Sequence, residues 1–353
     1  MIETLAMSGL TCPAPVASND RVQLGHGSGG KLSAALLRER FLPLLGNPIL
    51  DQLGDAAILA LPTGEIALST DTFVVRPLEF PGGNIGALAV HGTVNDLAMM
   101  GAEPRYLTLG VVLEEGLPFA VLDRILATLA GAAAGAGVTI VTGDTKVVER
   151  GRADGMYVNT TGVGLLHPLV RPGAHRAEPG DAVLVSGPIG RHGMAVMALR
   201  EGLEFETTIT SDTANLWPLV RSLRDALGAC LHVLRDPTRG GLASALHEIA
   251  SASGVGIALD EPALPIPGDV AAACEMLGLD PLYVANEGVL VAMVPAARAD
   301  AALAALRAHP LGASSRRIGE VVARHRGMVV LRTALGGTRV VDLLPGDQLP
   351  RIC

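Results

Sequence analysis

The segment GHGSGGK at residues 25–31 fits two phosphate-binding patterns, but each pattern fails in part. The spacing G-x-x-x-x-G-K is that of a P-loop, yet Leu32 stands where that motif requires a Ser or Thr hydroxyl for Mg²⁺. The spacing G-x-G-x-x-G is that of a dinucleotide-binding turn, which needs a buried strand before it, and only RVQL precedes it. Glycine amide groups and one lysine can nevertheless surround an anion. The segment therefore predicts an anion-binding loop, with a plain flexible turn as the alternative.

Asp55 and Asp71 are candidates for binding a cation because the predicted strands bring them together. The segment AAILALPTGEIALSTDTFVV at residues 56–75 predicts two apolar strands joined by the turn PTGE, and hence an antiparallel hairpin. Folding about that turn places Asp55 beside Asp71 at the open end of the two strands. Two carboxylates this close repel each other, so a cation, a shared proton or solvent must relieve them.

Three further aspartates stand near the ends of predicted elements, where ligand-binding side chains gather. Asp96 follows Asn95 near the end of the helix predicted for NIGALAVHGTVNDLAMMG, and Asp144 lies where a buried strand meets a loop. Asp236 precedes a predicted helix, and N-capping of that helix is its alternative role.

Two lysines, one glutamate and one cysteine complete the set of candidate residues. Lys31 and Lys146 are the only lysines among 27 basic residues, and an isolated ammonium group suits a phosphate site, with chance composition as the alternative. Glu287 lies in a polar Asn-Glu-Gly step between apolar strand residues, which predicts a desolvated carboxyl with a raised pKa. A β-bulge with Glu287 facing solvent is the alternative. Cys353 ends residues 346–353, which lack apolar periodicity and predict a mobile tail.

The elements that must position these side chains fall into two halves. Residues 31–45 predict a helix that ends near Pro43, and strands and helices follow it. Around residues 166–181 the apolar pattern gives way to Pro, Gly and Arg, which indicates a domain boundary. Asp181 then enters the first strand of the second half, and we assign it no site because no second acidic residue follows at hairpin distance.

The amino-acid composition and net charge indicate the broad class of protein to which the chain belongs. The chain has 353 residues, is 49% hydrophobic and 18% charged, and carries a net charge of −8, as expected of a folded globular protein. The negative charge without a Lys/Arg block argues against nucleic acid or a membrane as the partner. No secretory signal pattern is present, and Cys12, Cys230, Cys274 and Cys353 lie too far apart for a Cys-x-x-Cys motif. We therefore expect a cytoplasmic protein.

Taken together, the motifs resemble one family of the PurM-like ATP-binding superfamily, the carbamoyl dehydratases of [NiFe]-hydrogenase maturation. The resemblance covers about residues 20–353, and its most specific element is the ending PRIC. Its motifs in this chain are GHGSGGK (25–31), LGDAAIL (53–59), STDTFVV (69–75), HGTVNDLAMMGAEP (91–104), TGDTKVVER (142–150), SGPIGRHGMAVM (186–197), DPTRGGLA (236–243), NEG (286–288) and PRIC (350–353).

The resemblance implies an α+β fold of two domains, of the PurM-like (AIR synthetase-like) type. An N-terminal ATP-binding and dimerisation domain with a mixed or antiparallel sheet is expected at residues 21–168, and a C-terminal α/β-sandwich domain at residues 169–345. The family resemblance also implies a homodimer in which the N-terminal sheets join, with ATP near the interface. Residues 1–20 are expected to be a disordered extension, and residues 346–353 a mobile tail that carries Cys353.

Matched motif by motif, the resemblance assigns Mg²⁺ to Asp55, Asp71, Asp96 and Asp236, and ligation by oxygen alone suits a hard cation. It assigns Cys353, Lys146 and Glu287 to the reaction. The residues that it implies for ATP are Gly25, His26, Gly27, Ser28, Gly29, Gly30, Lys31, Asn95 and Asp144.

The implied reaction takes place on the chain's own cysteine. The carbamoyltransferase HypF would load Cys353 with a carbamoyl group, ATP would phosphorylate the carbamoyl oxygen, and a base would remove the amide protons. Loss of phosphate would then leave a thiocyanate, whose cyano group would pass to the HypC–HypD complex. The alternatives are another PurM-like enzyme, of the selenophosphate synthetase or thiamine-phosphate kinase type, and a non-catalytic scaffold that depends on a nucleotide.

Overall fold

The chain forms two larger sheets, one in each half, as expected for the α+β, two-domain fold that the sequence predicts. The structure is a computed structural model. It describes residues 20–27, 31–52, 57, 59, 62, 64–202, 209–343, 349, 352 and 353, with Lys31 and Gln52 described by their backbone alone.

The N-terminal half is built around a four-stranded sheet in the order β1-β6-β4-β5. The elements of this half are α1 (Lys31–Leu36), a π-helical turn (Leu37–Phe41), α2 (Leu42–Leu45), β1 (Ile66–Phe73), β2 (Glu79–Phe80), β3 (Gly83–Asn84), α3 (Ile85–Met99), β4 (Ala102–Glu114), α4 (Phe119–Ala136), β5 (Thr139–Val148) and β6 (Met156–Leu166). In the four-stranded sheet, β4 and β5 are parallel, and the other neighbouring strands are antiparallel.

The first helical segment is longer than the sequence predicts. We expect it to end near Pro43, but α1, the π-helical turn and α2 follow one another without a break to Leu45. Pro43 lies in the first turn of α2, where a missing backbone N–H is tolerated.

Helices α3 and α4 pack beside each other next to the four-stranded sheet. The side chain of Asn84 caps α3 by accepting hydrogen bonds from the amides of Gly86 (2.9 Å) and Ala87 (3.2 Å). The length and apolar composition of α4 would suffice to cross a membrane, but its buried residues, such as Leu122, Ile125 and Leu129, form one face at helical spacing. This pattern is typical of a helix in the core of a globular domain.

The opposite face of this sheet is more exposed and carries rows of paired side chains. Leu68 is 66% exposed and pairs with the half-buried Val163 across β1 and β6. The next row contains Thr70, Thr161, Thr108 and Thr142, one from each strand. This open face, defined by the Leu68 and threonine rows, continues to the edge strand β5.

The C-terminal half is built around a seven-stranded sheet in the order β13-β12-β9-β11-β7-β10-β8, in which β9 and β12 are parallel. Its elements are β7 (Asp181–Val185), α5 (Arg191–Arg200), α6 (Trp217–Leu227), β8 (Val233–Arg235), α7 (Gly241–Ser253), β9 (Gly256–Asp260), α8 (Gly268–Leu277), β10 (Val291–Pro295), α9 (Ala299–Arg307), β11 (Arg316–Val322), β12 (Val329–Arg332) and β13 (Thr338–Val341).

The two halves share an apolar core. One cluster of buried side chains runs from Phe73 and Leu88 of the N-terminal half to Val196 and Leu219 of the C-terminal half, and it includes Ile352. A second cluster lies within the C-terminal half. Because the first core joins the halves, the residues at their junction have fixed relative positions.

Candidate active site

A cavity of about 570 Å³ lies between the two halves and collects most of the predicted acidic residues. We call it the interdomain cavity. Strand β1, helix α3 and the loops that precede α7 and β10 form its walls. Its lining includes the predicted site residues Asp71, Asp96, Asp236, Glu287 and Cys353, together with Arg235 and Arg239.

Asp71 and Asp96 enter the cavity from the N-terminal half. Asp71 lies on β1, where its carboxylate accepts a hydrogen bond from the amide of Thr72 (2.8 Å). Asp96 lies on α3 and accepts a hydrogen bond from the hydroxyl of Ser69 (2.6 Å). Burial raises the pKa of both carboxyls, and the negative charge of Asp71 raises that of Asp96 further.

Asp236 and Glu287 enter from the C-terminal half and are both buried. Burial raises the pKa of Asp236 to about 7, and the charge of Asp96 adds to this shift. Burial also raises the pKa of Glu287 well above its usual range, with Asp212 as the next cause. Glu287 is only 3% exposed, so its predicted desolvation is confirmed and the solvent-facing alternative is excluded. Gly240, rather than Asp236, is the N-cap residue of α7.

Asn286 holds the two acidic loops together. Its side-chain amide donates to the carbonyl oxygen of Pro237 (2.9 Å), and its side-chain oxygen accepts from the amide of Gly190 at the start of α5 (2.7 Å). Through these two hydrogen bonds, Asn286 fixes the backbone of the neighbouring Glu287 beside Asp236.

A loop at residues 209–216, which we call the linking loop, supports Glu287 from the other side. The carboxylate of Asp212 accepts hydrogen bonds from the amides of Glu287 and Gly288, both at 3.2 Å. A Cβ atom at Gly288 would lie 1.7 Å from the carbonyl oxygen of Asp212, so this approach requires glycine. The loop also binds α3, because the side chain of Asn95 donates to the carbonyl oxygen of Ala214 (3.0 Å).

The described residues of the chain end are packed, whereas the sequence predicts a mobile tail. Leu349 and Ile352 are buried, and the amide of Val74 donates to the carbonyl oxygen of Cys353 (3.1 Å). The structure thus shows these residues docked, with Leu349 and Ile352 buried in the core that joins the two halves, and the mobility of the tail stays a prediction. Cys353 consequently lies among the cavity residues.

Other predicted residues line a second pocket, of about 430 Å³, between α1, α2 and β5. This N-terminal pocket includes His26, Gly27, Asp144 and Lys146. The Lys146 ammonium donates to both carboxylate oxygens of Asp144 at 2.8 and 2.6 Å, and this hydrogen bond lowers the pKa of Asp144. The ring of His26 accepts a hydrogen bond from the amide of Gln23 (2.9 Å), which stabilises the local turn.

Within one chain, the structure separates Lys146 from Glu287. The strand register places Asp144 and Lys146 opposite Gly110 and Val112, in rows that belong to the open face of the sheet. Side chains alternate between the two faces along β1, and Asp71 lies on the face opposite the open face, toward α3. The expectation that Lys146 and Glu287 face the tail together is therefore not met by a single chain.

Asn95 also differs in position from the sequence expectation. It is 1% exposed, donates to Ala214, and accepts a hydrogen bond from the amide of Leu216 (2.8 Å). It joins α3 to the linking loop and does not line either described pocket. Five predicted residues lie outside the described part or have an undescribed side chain, namely Ser28, Gly29, Gly30, Lys31 and Asp55. The predicted hairpin falls largely outside it as well.

The donor set of the interdomain cavity fits Mg²⁺. Asp71, Asp96 and Asp236 offer oxygen donors only, and a cation would stabilise their charged forms, which burial disfavours and, for Asp96 and Asp236, neighbouring carboxylates disfavour further. Among the residues that the structure describes, no three His, Cys, Asp or Glu side chains form a metal site by themselves. Mg²⁺ usually takes one or two protein carboxylates and completes its shell with water and phosphate oxygens. The residues therefore fit Mg²⁺ held together with a nucleotide.

Sequence reasoning missed four residues of this region, namely Asp212, Arg235, Arg239 and His192. Arg235 and Arg239 flank the aspartate of the DPTRGG motif, which could have identified them as cations beside Asp236. Asp212 and His192 carry no sequence signal, because their roles arise from contacts with residues 75 or more positions away.

Comparison with known proteins identifies related chains over almost the whole length. Residues 53–166 match the family model "AIR synthase related protein, N-terminal domain", and residues 178–332 match the corresponding C-terminal domain. Carbamoyl dehydratase HypE of Cupriavidus necator is 55% identical over 334 residues, which cover 94% of this chain and 95% of that protein.

Two solved structures are similar in fold and sequence. The crystal structure of hydrogenase maturation protein HypE in complex with ATP is 51% identical, with a TM-score of 0.90, and covers 94% of this chain and 99% of that chain. The crystal structure of a HypE–HypF complex contains a chain that is 47% identical, with a TM-score of 0.77, over 88% of this chain and 100% of that chain.

Proposed function

The chain belongs to the HypE family of carbamoyl dehydratases, within the AIR synthase-related proteins, and from this membership we propose that Cys353 carries the group that the enzyme dehydrates. One observation supports this proposal above the others. Cys353 lies in the interdomain cavity with Glu287, Asp71, Asp96 and Asp236, so a group on its sulfur would face a buried carboxyl and three oxygen donors.

The reaction that we propose balances as follows. The oxygen of the S-carbamoyl group attacks the γ-phosphorus of ATP, and ADP leaves. Removal of the two amide protons forms the C≡N bond as the C–O bond breaks, and the oxygen departs with phosphate. The products are the S-cyano group, ADP, phosphate and one released proton, so the elements of water end in phosphate and a proton.

Each cavity residue has a chemical task in this scheme. Glu287, buried and with a raised pKa, is the base that removes the amide protons as they become acidic. Arg235 and Arg239 stabilise the phosphate charge at the cavity wall. Mg²⁺ on Asp71, Asp96 and Asp236, with Asp55 as the further ligand from the family pattern, would neutralise the nucleotide phosphates.

A homodimer explains how Lys146 can take part in the reaction, although it lies outside the interdomain cavity of its own chain. Strands β1 and β5 are the two edges of the described N-terminal sheet, and the open face carries the exposed Leu68. If two open faces stack about a twofold axis roughly parallel to the strands, the edge strand β5 of one chain approaches the edge strand β1 of its partner. Asp144 and Lys146 would then reach ATP bound near Asp71 of the other chain. We therefore propose that each active site is completed across the interface.

Leu68→Glu tests this arrangement. A charge within the proposed interface should convert the protein to a monomer in size-exclusion chromatography with light scattering, and ATP-dependent dehydration should fall by about tenfold or more because Lys146 is lost from the site. Leu335→Glu is the control, since Leu335 is 99% exposed and lies between β12 and β13. A monomeric Leu68→Glu protein with full activity would contradict the shared site.

The Mg²⁺ assignment is tested by Asp71→Asn and Asp236→Asn. Each change removes one negative oxygen donor, and we expect the affinity for MgATP in calorimetric titration to fall by about tenfold or more. The thermal stability of the protein without nucleotide should stay equal or rise, because each change also removes like-charge repulsion. Asp225→Asn on the exposed surface of α6 is the control. Unchanged affinity in both cavity variants would refute the assignment.

The partners follow from the same proposal. A HypF carbamoyltransferase loads Cys353, and the HypC–HypD complex receives the cyano group for the [NiFe]-hydrogenase iron. One of the related solved structures is a HypE–HypF complex, which supports the first partner. These steps are expected to occur in the cytoplasm.

Mass spectrometry tests the function directly. The protein is incubated with HypF, carbamoyl phosphate and ATP, and the mass of its C-terminal peptide is measured over time. We expect a carbamoyl adduct that loses the mass of one water only when ATP is present. An adduct that never loses water would favour the non-catalytic scaffold.

A further inference from the structure

His192 makes a direct contact between the folded core and the chain end. It lies in the first turn of α5 and is fully buried. Its Nε2 atom lies 2.5 Å from the carbonyl oxygen of Ile352, and its Nδ1 atom lies 2.8 Å from the hydroxyl oxygen of Ser211 in the linking loop. The ring packs edge-on against Phe80 at a centroid distance of 5.4 Å.

The chemistry of these contacts fixes the hydrogen positions. A carbonyl oxygen only accepts, so Nε2 must carry the hydrogen and donate it to Ile352. Nδ1 of the neutral ring then accepts from the Ser211 hydroxyl, whose oxygen itself accepts from the amide of Thr213 (3.1 Å). Burial lowers the pKa of His192 to about 4, so the ring is neutral at pH 7 and this arrangement persists.

Further contacts hold the same segment in place. The amide of Val74 donates to the carbonyl oxygen of Cys353 (3.1 Å), so the last two carbonyl groups are both bonded to the core. The side chain of Leu349 packs over Gly193, where an added Cβ would lie 3.0 Å from the Leu349 side chain. The chain end is thus docked through backbone groups as well as apolar side chains.

We propose that His192 is a positioning residue that holds the chain end in the interdomain cavity, and that Ser211 orients its imidazole for this purpose. The proposal extends the proposed function, because a carrier cysteine must leave the cavity to be loaded and return to it to be dehydrated. His192 bonds to the backbone of Ile352 and not to the Cys353 side chain, which carries the group in the proposed function. His192 therefore sets the balance between the docked and the released chain end.

The first test measures docking without any enzymatic activity. Iodoacetamide alkylates Cys353 faster when the chain end is released, and the rate is followed by the mass of the C-terminal peptide. His192→Phe keeps the ring and its packing on Phe80 but leaves the carbonyl of Ile352 buried without a donor. We expect alkylation of Cys353 to become about tenfold faster, the scale set by one buried hydrogen bond.

Three further variants distinguish this role from general loosening. His192→Gln restores an N–H donor near the position of Nε2, and its alkylation rate should return toward that of the parent. Ser211→Ala keeps the imidazole but removes its orienting hydroxyl, so the rate should lie between the parent and His192→Phe. His91→Phe is the matched control, because His91 is also bonded to the linking loop, through Thr213 (3.2 Å), and makes no hydrogen bond to the described residues Leu349, Ile352 and Cys353 of the chain end.

The second test separates loading from dehydration. In His192→Phe, carbamoyl loading by HypF should be equal or faster, while dehydration of the loaded thiol should slow by about tenfold. If His192→Phe does not fold, Ser211→Ala and Ile352→Ala carry the test, since Ile352→Ala weakens docking from the chain end itself. Equal alkylation rates in the parent, Ser211→Ala and every folded His192 variant would overturn the proposal. Failure of Cys353 to accept a carbamoyl group would instead contradict the proposed function, and the alkylation result would stand by itself.

Discussion

Cys353→Ala is expected to abolish carbamoyl loading and thiocyanate formation completely while the protein folds and binds ATP as before. The thiol is the only group that the change removes, and the hydrogen bond from Val74 to the backbone of residue 353 does not depend on it. Peptide mass after incubation with HypF, carbamoyl phosphate and ATP measures the first effect, and calorimetric titration measures ATP binding.

Other cysteines supply the control for this prediction. Cys274 is buried, which raises the pKa of its thiol to about 11 and makes it a poor nucleophile, whereas Cys230 is half-buried. Cys230→Ala should therefore load and dehydrate like the parent. A Cys353→Ala protein that gains a carbamoyl group on another cysteine would show that the carrier has been assigned to the wrong residue.

Glu287→Gln is expected to lower the dehydration rate by about 10²–10⁴-fold, the usual effect of removing a general base. Glutamine keeps the size of the side chain and the backbone bonds to Asp212, so carbamoyl loading of Cys353 should be unchanged. Single-turnover conversion of preloaded protein is the appropriate measurement. Glu275→Gln, at an exposed position of α8, is the control.

The same variant should be more stable than the parent, with a definite pH dependence. The folded protein raises the pKa of Glu287 because the carboxyl is buried and faces Asp212, Asp236, Asp71 and Asp96. A raised pKa means that the contribution of Glu287 to folding is present below its unfolded pKa and is lost as pH rises through the folded pKa. In EDTA without nucleotide, Glu287→Gln should therefore raise the melting temperature by a few degrees at pH 8 and by less at pH 4. An equal shift at both pH values would contradict the buried, like-charged environment.

The sequence predicted those helices and strands whose formation depends on residues within the same segment. The apolar spacing of NIGALAVHGTVNDLAMMG and the capping side chain of Asn84 are contained in the segment, and α3 follows at Ile85–Met99. Asp181 starts β7 as predicted. The polar Asn-Glu-Gly step between apolar residues predicted a desolvated Glu287 but left a solvent-facing position as the alternative, and the burial of the side chain decides between the two.

Features that depend on distant parts of the chain could not be predicted in this way. Strand β1 pairs with β6, so Ile66 lies opposite Leu165, and no local turn signals this partner. The segment ending at Cys353 has no periodicity, and the positions of Ile352 and Cys353 depend on contacts with the distant residues His192 and Val74. The assignment of Lys146 to the reaction stays a prediction, because the side of the sheet on which it lies becomes evident only from the strand register.

The linking loop contacts both the interdomain cavity and the anchor of the chain end, so the proposed function implies a coupling between them. It contacts the backbone of Glu287 through Asp212 and the imidazole of His192 through Ser211. A shift of this loop would therefore move the backbone of Glu287 in the cavity where we propose that the nucleotide binds. It would also move the imidazole of His192, which holds the chain end. Such coupling is reciprocal: the factor by which a docked chain end changes nucleotide affinity must equal the factor by which nucleotide changes the docking equilibrium.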